Sequence, residues 1–243
     1  MRLFAFSKRT AQEILRDPIN LAFGVGFPVV LIFLLNAIQA NIPVSLFQLS
    51  SFIPGIAVFG LTFMTVFSAT LIAKDRESSF LQRLYTSPMT AMDFILGYAF
   101  PILPIALTQT LICYLVAIPL GLSFNLKTVY AILCILPISL FFIAVGLLCG
   151  SVLSVKQVGG ICGALLTNLA GWLSGIWFDL DLIGGLFKKV AYALPFVHAV
   201  NLERMALNGF TKDSFSSLLW LLGYTLLTMF LATYFFLRQM KNN

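Results

Sequence analysis

The chain has 243 residues, 60% of them hydrophobic and only 10% charged, with 15 Lys and Arg against 9 Asp and Glu. A soluble domain keeps about 25% of its residues charged so that its surface stays wet, which excludes a soluble fold here, and with it a disordered chain, a nucleic-acid-binding domain or a secreted disulfide scaffold. The net charge of +6 reports topology, because the basic residues sit mostly at the ends of uncharged runs.

Residues 1–17 have helical order without being long enough to span. At about 100° per residue, Arg2, Lys8, Arg9, Gln12, Glu13 and Arg16 share one side, and Leu3, Phe4, Phe6, Ala11, Ile14 and Leu15 share the other. This is the pattern of an interfacial helix, flat on a leaflet, with apolar side chains among acyl chains and cations near anionic headgroups. Asp17-Pro18 ends it and turns the chain into the membrane.

From Pro18 to Ala73 no residue is charged. That run is too long for one crossing of about 20 residues, and the polar, Pro-containing stretch from Gln39 to Ser51 divides it into spans at 21–38 and 52–73. No A-x-A site follows the first run, so it reads as a span and not as a leader. Further charge-free runs predict spans at 94–118, 128–153, 158–177 and 215–237. Six crossings put both termini on one side. That side would carry Arg2, Lys8, Arg9, Arg16, Lys74, Arg76, Arg83, Lys156, Arg238 and Lys241, against Lys127, Lys188, Lys189, Arg204 and Lys212 on the other. By the positive-inside rule both termini are expected in the cytoplasm of a multi-pass protein of the cell membrane.

The spans contain no ionisable Asp, Glu, Lys, Arg or His, which removes the usual machinery of proton- or sodium-coupled carriers. Polar residues such as Asn36, Thr62, Thr108, Gln109 and Asn168 leave an ion-coupled secondary transporter as the alternative reading, and a structural or regulatory membrane subunit as another. Ser174-Gly175 and the lone His198 resemble an intramembrane protease motif only superficially, since Trp172 stands where a glycine is needed. Cys113, Cys134, Cys149 and Cys162 all lie in apolar runs and read as free thiols with no metal-binding spacing. No phosphate-binding Gly-rich loop occurs, so ATP hydrolysis, with its ATP and Mg, is expected on a partner and no cofactor on this chain. The cluster Gly159-Gly160-Ile161-Cys162-Gly163 reads as a surface for close helix packing.

Residues 74–93 form the most polar stretch. Phe80, Leu81, Leu84 and Tyr85 give a short helix one apolar face and Pro88 stops it; such a helix either packs under the bundle or fills a groove on a soluble partner. The connection 178–214 has its own helical pattern, with a stripe of Leu186, Phe187, Val190, Ala191 and Leu194, a break at Pro195 and a second helix ending near Gly209.

Two segments carry a family resemblance. Asp75-Arg76-Glu77, then Leu81-Gln82-Arg83-Leu84-Tyr85, then Thr86-Ser87-Pro88 resembles the cytoplasmic signature of ABC transporter permeases of the type-two export class, although Ser79-Phe80 replaces the usual Gly-Thr. Leu194-Pro195, followed by Arg204 before the last span, is similar to a second signature of the family. The resemblance implies an all-α permease with six transmembrane helices, and an extracellular helical hairpin at 178–214 that dips into the outer leaflet. It implies a translocation path shared with a second, identical or homologous permease. It also implies coupling to a separate cytosolic ATP-binding subunit through Asp75, Arg76, Glu77, Leu81, Arg83, Leu84, Tyr85, Thr86 and Pro88. A pathway lined by Phe, Leu, Trp and small residues suits an amphipathic, peptide, drug or lipid-like solute, and lipid itself is an expected partner; nucleic acid is not.

Overall fold

The computed structural model describes residues 2–43, 47–78 and 90–242, and every regular element among them is helical. Helix α1 (Arg2–Leu15) lies before α2 (Pro18–Asn41), whose Asp17 N-cap takes the Asn20 amide and whose second turn, Ala22–Gly26, is π-helical. Helix α3 (Leu49–Glu77) has a break at Leu61, α4 is Ala91–Ala117 and α5 is Leu126–Val152. Helix α6 (155–173) joins one turn, Val155–Val158, to π-helix at Gly159–Leu166 and a final α-helical piece at Thr167–Leu173. Three short helices follow, α7 (Leu180–Ile183), α8 (Gly185–Ala193) and α9 (Pro195–Asn208), then the long α10 (Lys212–Asn242).

Among the described residues five helices are long and apolar enough to cross a membrane: α2, α3, α4, α5 and α10. Helix α6 stands apart because it is shorter, opens with Lys156 and Gln157, and is diluted by glycines at 159, 160 and 163. The charge-free runs therefore mark the helices, while the sixth expected crossing falls on a helix of weaker apolar character.

Helix α3 is the axis of the bundle: 83% of its apolar stretch is buried, against 22% for α2 and for α10. It packs along α5, which in turn carries α10 and α4. The α3–α5 approach is close because α5 presents Gly146 and Gly150. A Cβ on Gly146 would collide with Ser68 Oγ and stand 2.5 Å from the Thr65 carbonyl oxygen, and one on Gly150 would stand 2.7 Å from that of Ala69. With the backbones this near, the Thr65 hydroxyl donates across the interface to the Phe142 carbonyl at 2.7 Å. In a medium without water, such packing and interhelical hydrogen bonds drive association.

The glycine cluster of α6 behaves otherwise. Around Gly159, Gly160 and Gly163 a Cβ would meet nothing within 4 Å, so no helix among the described residues uses them for close packing. The same turn buries Cys162 against Ala69 and Ala73 of α3, which aims the glycines the other way. Among the described residues, the glycines that let two helix backbones meet are on α5.

The apolar side of α1 also divides. Phe6, Thr10 and Ile14, spaced i, i+4, i+8, are buried, whereas Phe4 and Leu15 are exposed. Phe6 inserts edge-on between Phe94 and Tyr98 of α4, with ring centroids 5.7 and 5.0 Å away, in a notch that only Gly97 leaves open. Part of the face assigned to lipid is therefore a protein contact, because α4 supplies an aromatic socket for it.

Candidate functional site

Helix α3 ends in Asp75-Arg76-Glu77, and each of these consecutive residues fastens a different element. Asp75 is buried to 2% exposure. Its carboxylate accepts both guanidinium nitrogens of Arg9 on α1, at 2.5 and 2.7 Å, and the Tyr98 hydroxyl of α4 at 2.7 Å. A bidentate guanidinium–carboxylate pair is among the stronger charge-assisted contacts. Arg9 also pairs with Glu13 at 2.9 Å; burial pushes the Glu13 carboxyl above its ordinary range, with Arg9 opposing.

Arg76 donates to the carbonyls of Ser151 and Leu153, both at 2.5 Å, where α5 ends. The last carbonyls of a helix have no intrahelical donor and carry the negative end of its dipole, so a guanidinium there satisfies both demands. Glu77 accepts from the Val155 amide at 2.8 Å, at the first turn of α6, where a carboxylate meets the positive end. Arg76 and Glu77 thus hold the α5–α6 break from its two sides, and Ser154 caps the start of α6 in a capping box with Gln157. Rotation of α3 about its axis would disturb α1, α4, α5 and α6 together.

At the opposite end of the bundle the helices α7 to α9 form a cap. Leu194 is extended and leads into Pro195 at the first position of α9, where the missing amide hydrogen costs nothing. Arg204 donates to the Ser51 carbonyl at 3.0 Å and the Gly175 carbonyl at 2.8 Å, joining α9 to the start of α3 and the end of α6; burial lowers its pKa, with Asp179 opposing. His198 stacks on Trp220 of α10 at 5.3 Å and 2°, and its Nε2 lies 3.0 Å from the Tyr192 carbonyl. A cavity of about 540 Å³ between these elements is lined by Ser51, Ser174, Trp177, Asp179, Asn201 and Arg204.

Glu203 was missed by the sequence reading. It is fully buried on α9, and its Oε1 accepts from the Tyr114 hydroxyl of α4 at 2.8 Å while its Oε2 has no hydrogen-bond partner among the described residues. Burial pushes this carboxyl up to about 8 against the effect of the Tyr114 bond. Its charge made it look like part of a solvated connection. The signal available was its place on the buried side of α9, three residues after Val200 and three before Ala206.

Of the residues expected at the coupling surface, Asp75, Arg76 and Glu77 meet at one place and are engaged within the chain. Leu81, Arg83, Leu84, Tyr85, Thr86 and Pro88 lie outside the described residues. Leu194, Pro195 and Arg204 come together in the helical cap. Gln109 and Thr62, candidates for polar work inside a span, are buried, with Gln109 Nε2 3.5 Å from the Ala57 carbonyl oxygen and Thr62 donating to Phe59.

Among the described residues, an all-helical bundle with five membrane-length helices and an amphipathic first helix, tied at one end by a charged triplet, defines a multi-spanning membrane protein. The family model described as ABC-2 type transporter matches residues 1–208, and the chain belongs to that family. It is a permease of the ABC transporter system, a transmembrane transport protein and not itself the catalytic subunit. No match to the chain is found among curated proteins.

Proposed function

We propose that the chain is the membrane-spanning half of an ATP-driven exporter, paired with a second permease and powered by a separate cytosolic ATP-binding subunit. In this reading α6 completes six crossings, both termini and the Asp75-Arg76-Glu77 end face the cytoplasm of the cell membrane, and α7 to α9 form the extracellular hairpin. The observation that carries it is the triplet itself: a pull on the segment that follows residue 78 acts through Asp75, Arg76 and Glu77 on four other helices at once. Binding energy released in the motor would reach the bundle there, with Arg83 and Tyr85 in the contact and ATP and Mg held by the partner. The uncovered apolar faces of α2 and α6, with Phe23, Phe27, Val30 and Phe33 on one and Ile161, Leu165, Leu169 and Trp172 on the other, suit the second permease and lipid. A solute that is amphipathic, peptidic, drug-like or lipid-like suits a path so poor in charge.

Affinity purification of the chain from its native membrane tests this. Co-purification of a nucleotide-binding subunit whose ATP turnover changes when Arg76→Ala or Glu77→Ala is introduced is expected. Solute uptake by vesicles holding this chain alone, driven by a cation gradient without nucleotide, would contradict it.

A further inference from the structure

We propose that the cavity between α1, the first turn of α2 and the last turns of α3 seats one glycerophospholipid, with its phosphate against Arg16 and Lys74. The cavity has a volume of about 370 Å³, inside the usual range of about 300–1,000 Å³ for small-ligand pockets. It is polar at one end and apolar at the other. Its lining includes the buried Phe67 and Leu71 with Leu21, and the exposed Lys74 and Arg16. From Phe67 to Lys74 is seven residues on one helix, about 10 Å along the axis at 1.5 Å per residue, enough to run from hydrocarbon to the headgroup level.

Two carboxylates, Glu13 and Asp17, and two cations, Arg16 and Lys74, line the cavity, and the carboxylates are engaged within the chain. Asp17 accepts from the Asn20 backbone amide at 3.2 Å and from Asn20 Nδ2 at 2.6 Å, and Glu13 is paired with Arg9 at 2.9 Å. Arg16 and Lys74 are exposed and stand in no ion pair among the described residues. Two unpaired cations above an apolar floor complement a phosphodiester carrying acyl chains. A two-chain lipid exceeds the cavity, so the headgroup and first carbons occupy it. The chains then continue along Ile19 and Phe23 of α2, both exposed and four residues apart on one helix face. Because Glu13 joins the cavity to Arg9 and so to Asp75, a seated lipid also steadies the attachment of α1. The inference needs this end of the bundle to lie at a membrane surface and is independent of any ATP-binding partner.

The test uses the full chain in mild detergent, read by native mass spectrometry and thermal melting. Added probes are phosphatidylglycerol, phosphatidylethanolamine, a diacylglycerol with the same chains, and inorganic phosphate. One phospholipid per chain is expected to remain bound, and either phospholipid is expected to raise the melting temperature where diacylglycerol and inorganic phosphate do not. Arg16→Gln with Lys74→Gln should weaken retention about thirtyfold, the combined effect of two basic residues at an anionic headgroup, while Lys8→Gln with Lys156→Gln leaves it unchanged. Thr70→Trp, which fills the cavity from α3 without altering charge, should displace the lipid and keeps the test open if the double variant fails to fold. Equal retention in the cation or Trp variants, an equal melting shift from inorganic phosphate (a free-anion site), or one from diacylglycerol (an apolar groove) would each overturn the proposal.

Discussion

The two ends of the bundle solve the same problem with different chemistry. At the α1 end, ionised side chains meet ionised partners or helix termini: Arg9 with Asp75, Arg76 with the carbonyl end of α5, Glu77 with the amide end of α6. At the hairpin end, a buried carboxyl has only the neutral Tyr114 hydroxyl, and the neighbouring Arg204 is committed to carbonyls at 3.0 and 2.8 Å. The first arrangement is held by charge meeting charge or helix end. The second is held in part by a proton.

The largest expected effect breaks the charge-paired end. Asp75→Ala leaves Arg9 without its bidentate acceptor beside a buried Tyr98, and should cost about 3 kcal/mol, the lower part of the range for half of a buried ion pair because Arg9 is partly exposed. Tyr98→Phe removes one hydrogen bond to a charged acceptor and should cost about 1.5 kcal/mol. Thermal unfolding at fixed detergent concentration measures both, and a cost for Asp75→Ala no greater than that of an exposed pair would show that the node is not structural.

Next in size is the helix contact that joins the two ends. Gly146→Ala should cost about 2 kcal/mol through overpacking against Ser68 and Thr65, whereas Gly159→Ala, facing open space, should be neutral or stabilising by about 0.5 kcal/mol. The same melting series reads this contrast, and equal effects would refute the assignment of the close contact to α5.

A pH-dependent effect sharpens the difference at the hairpin. The folded chain holds the Glu203 proton up to about pH 8, well above the ordinary carboxyl value of 4.5. Stability from this group is therefore complete below about pH 4.5 and is lost as pH rises towards 8. Glu203→Gln keeps the acceptor for Tyr114 and removes the titration, so its melting temperature should fall less than that of the unaltered chain between pH 5 and 8. Parallel curves would contradict the role of the proton.

The helices were legible because crossing a membrane demands long charge-free runs, and 18–73, 94–126 and 128–155 announce themselves by hydropathy alone. What α6 would do was less legible, since Lys156, Gln157 and three glycines weaken its signal. Partner choice was illegible in detail. Nothing in the order Asp75-Arg76-Glu77 says that Arg76 meets the end of α5 and Glu77 the start of α6, because those ends come near only in the folded bundle. The close-packing glycines were only half readable: Gly146-Leu147-Leu148-Cys149-Gly150 is a G-x-x-x-G in an apolar helix, but Gly159 and Gly163 have the same spacing, so the sequence alone could not choose between the two. Glu203 escaped because charge in a connection is ordinarily solvated, and only the packing of α9 against α3, α5 and α10, with Tyr114 of α4 reaching its carboxyl, buries it.

The most direct test of the energy route is a photo-crosslinking amino acid in place of Tyr85, activated in native membranes. The account predicts capture of a separate polypeptide that is labelled by an azido derivative of ATP, with capture reduced by Arg83→Ala. Crosslinks confined to this chain or to lipid, in membranes where transport is active, would contradict it.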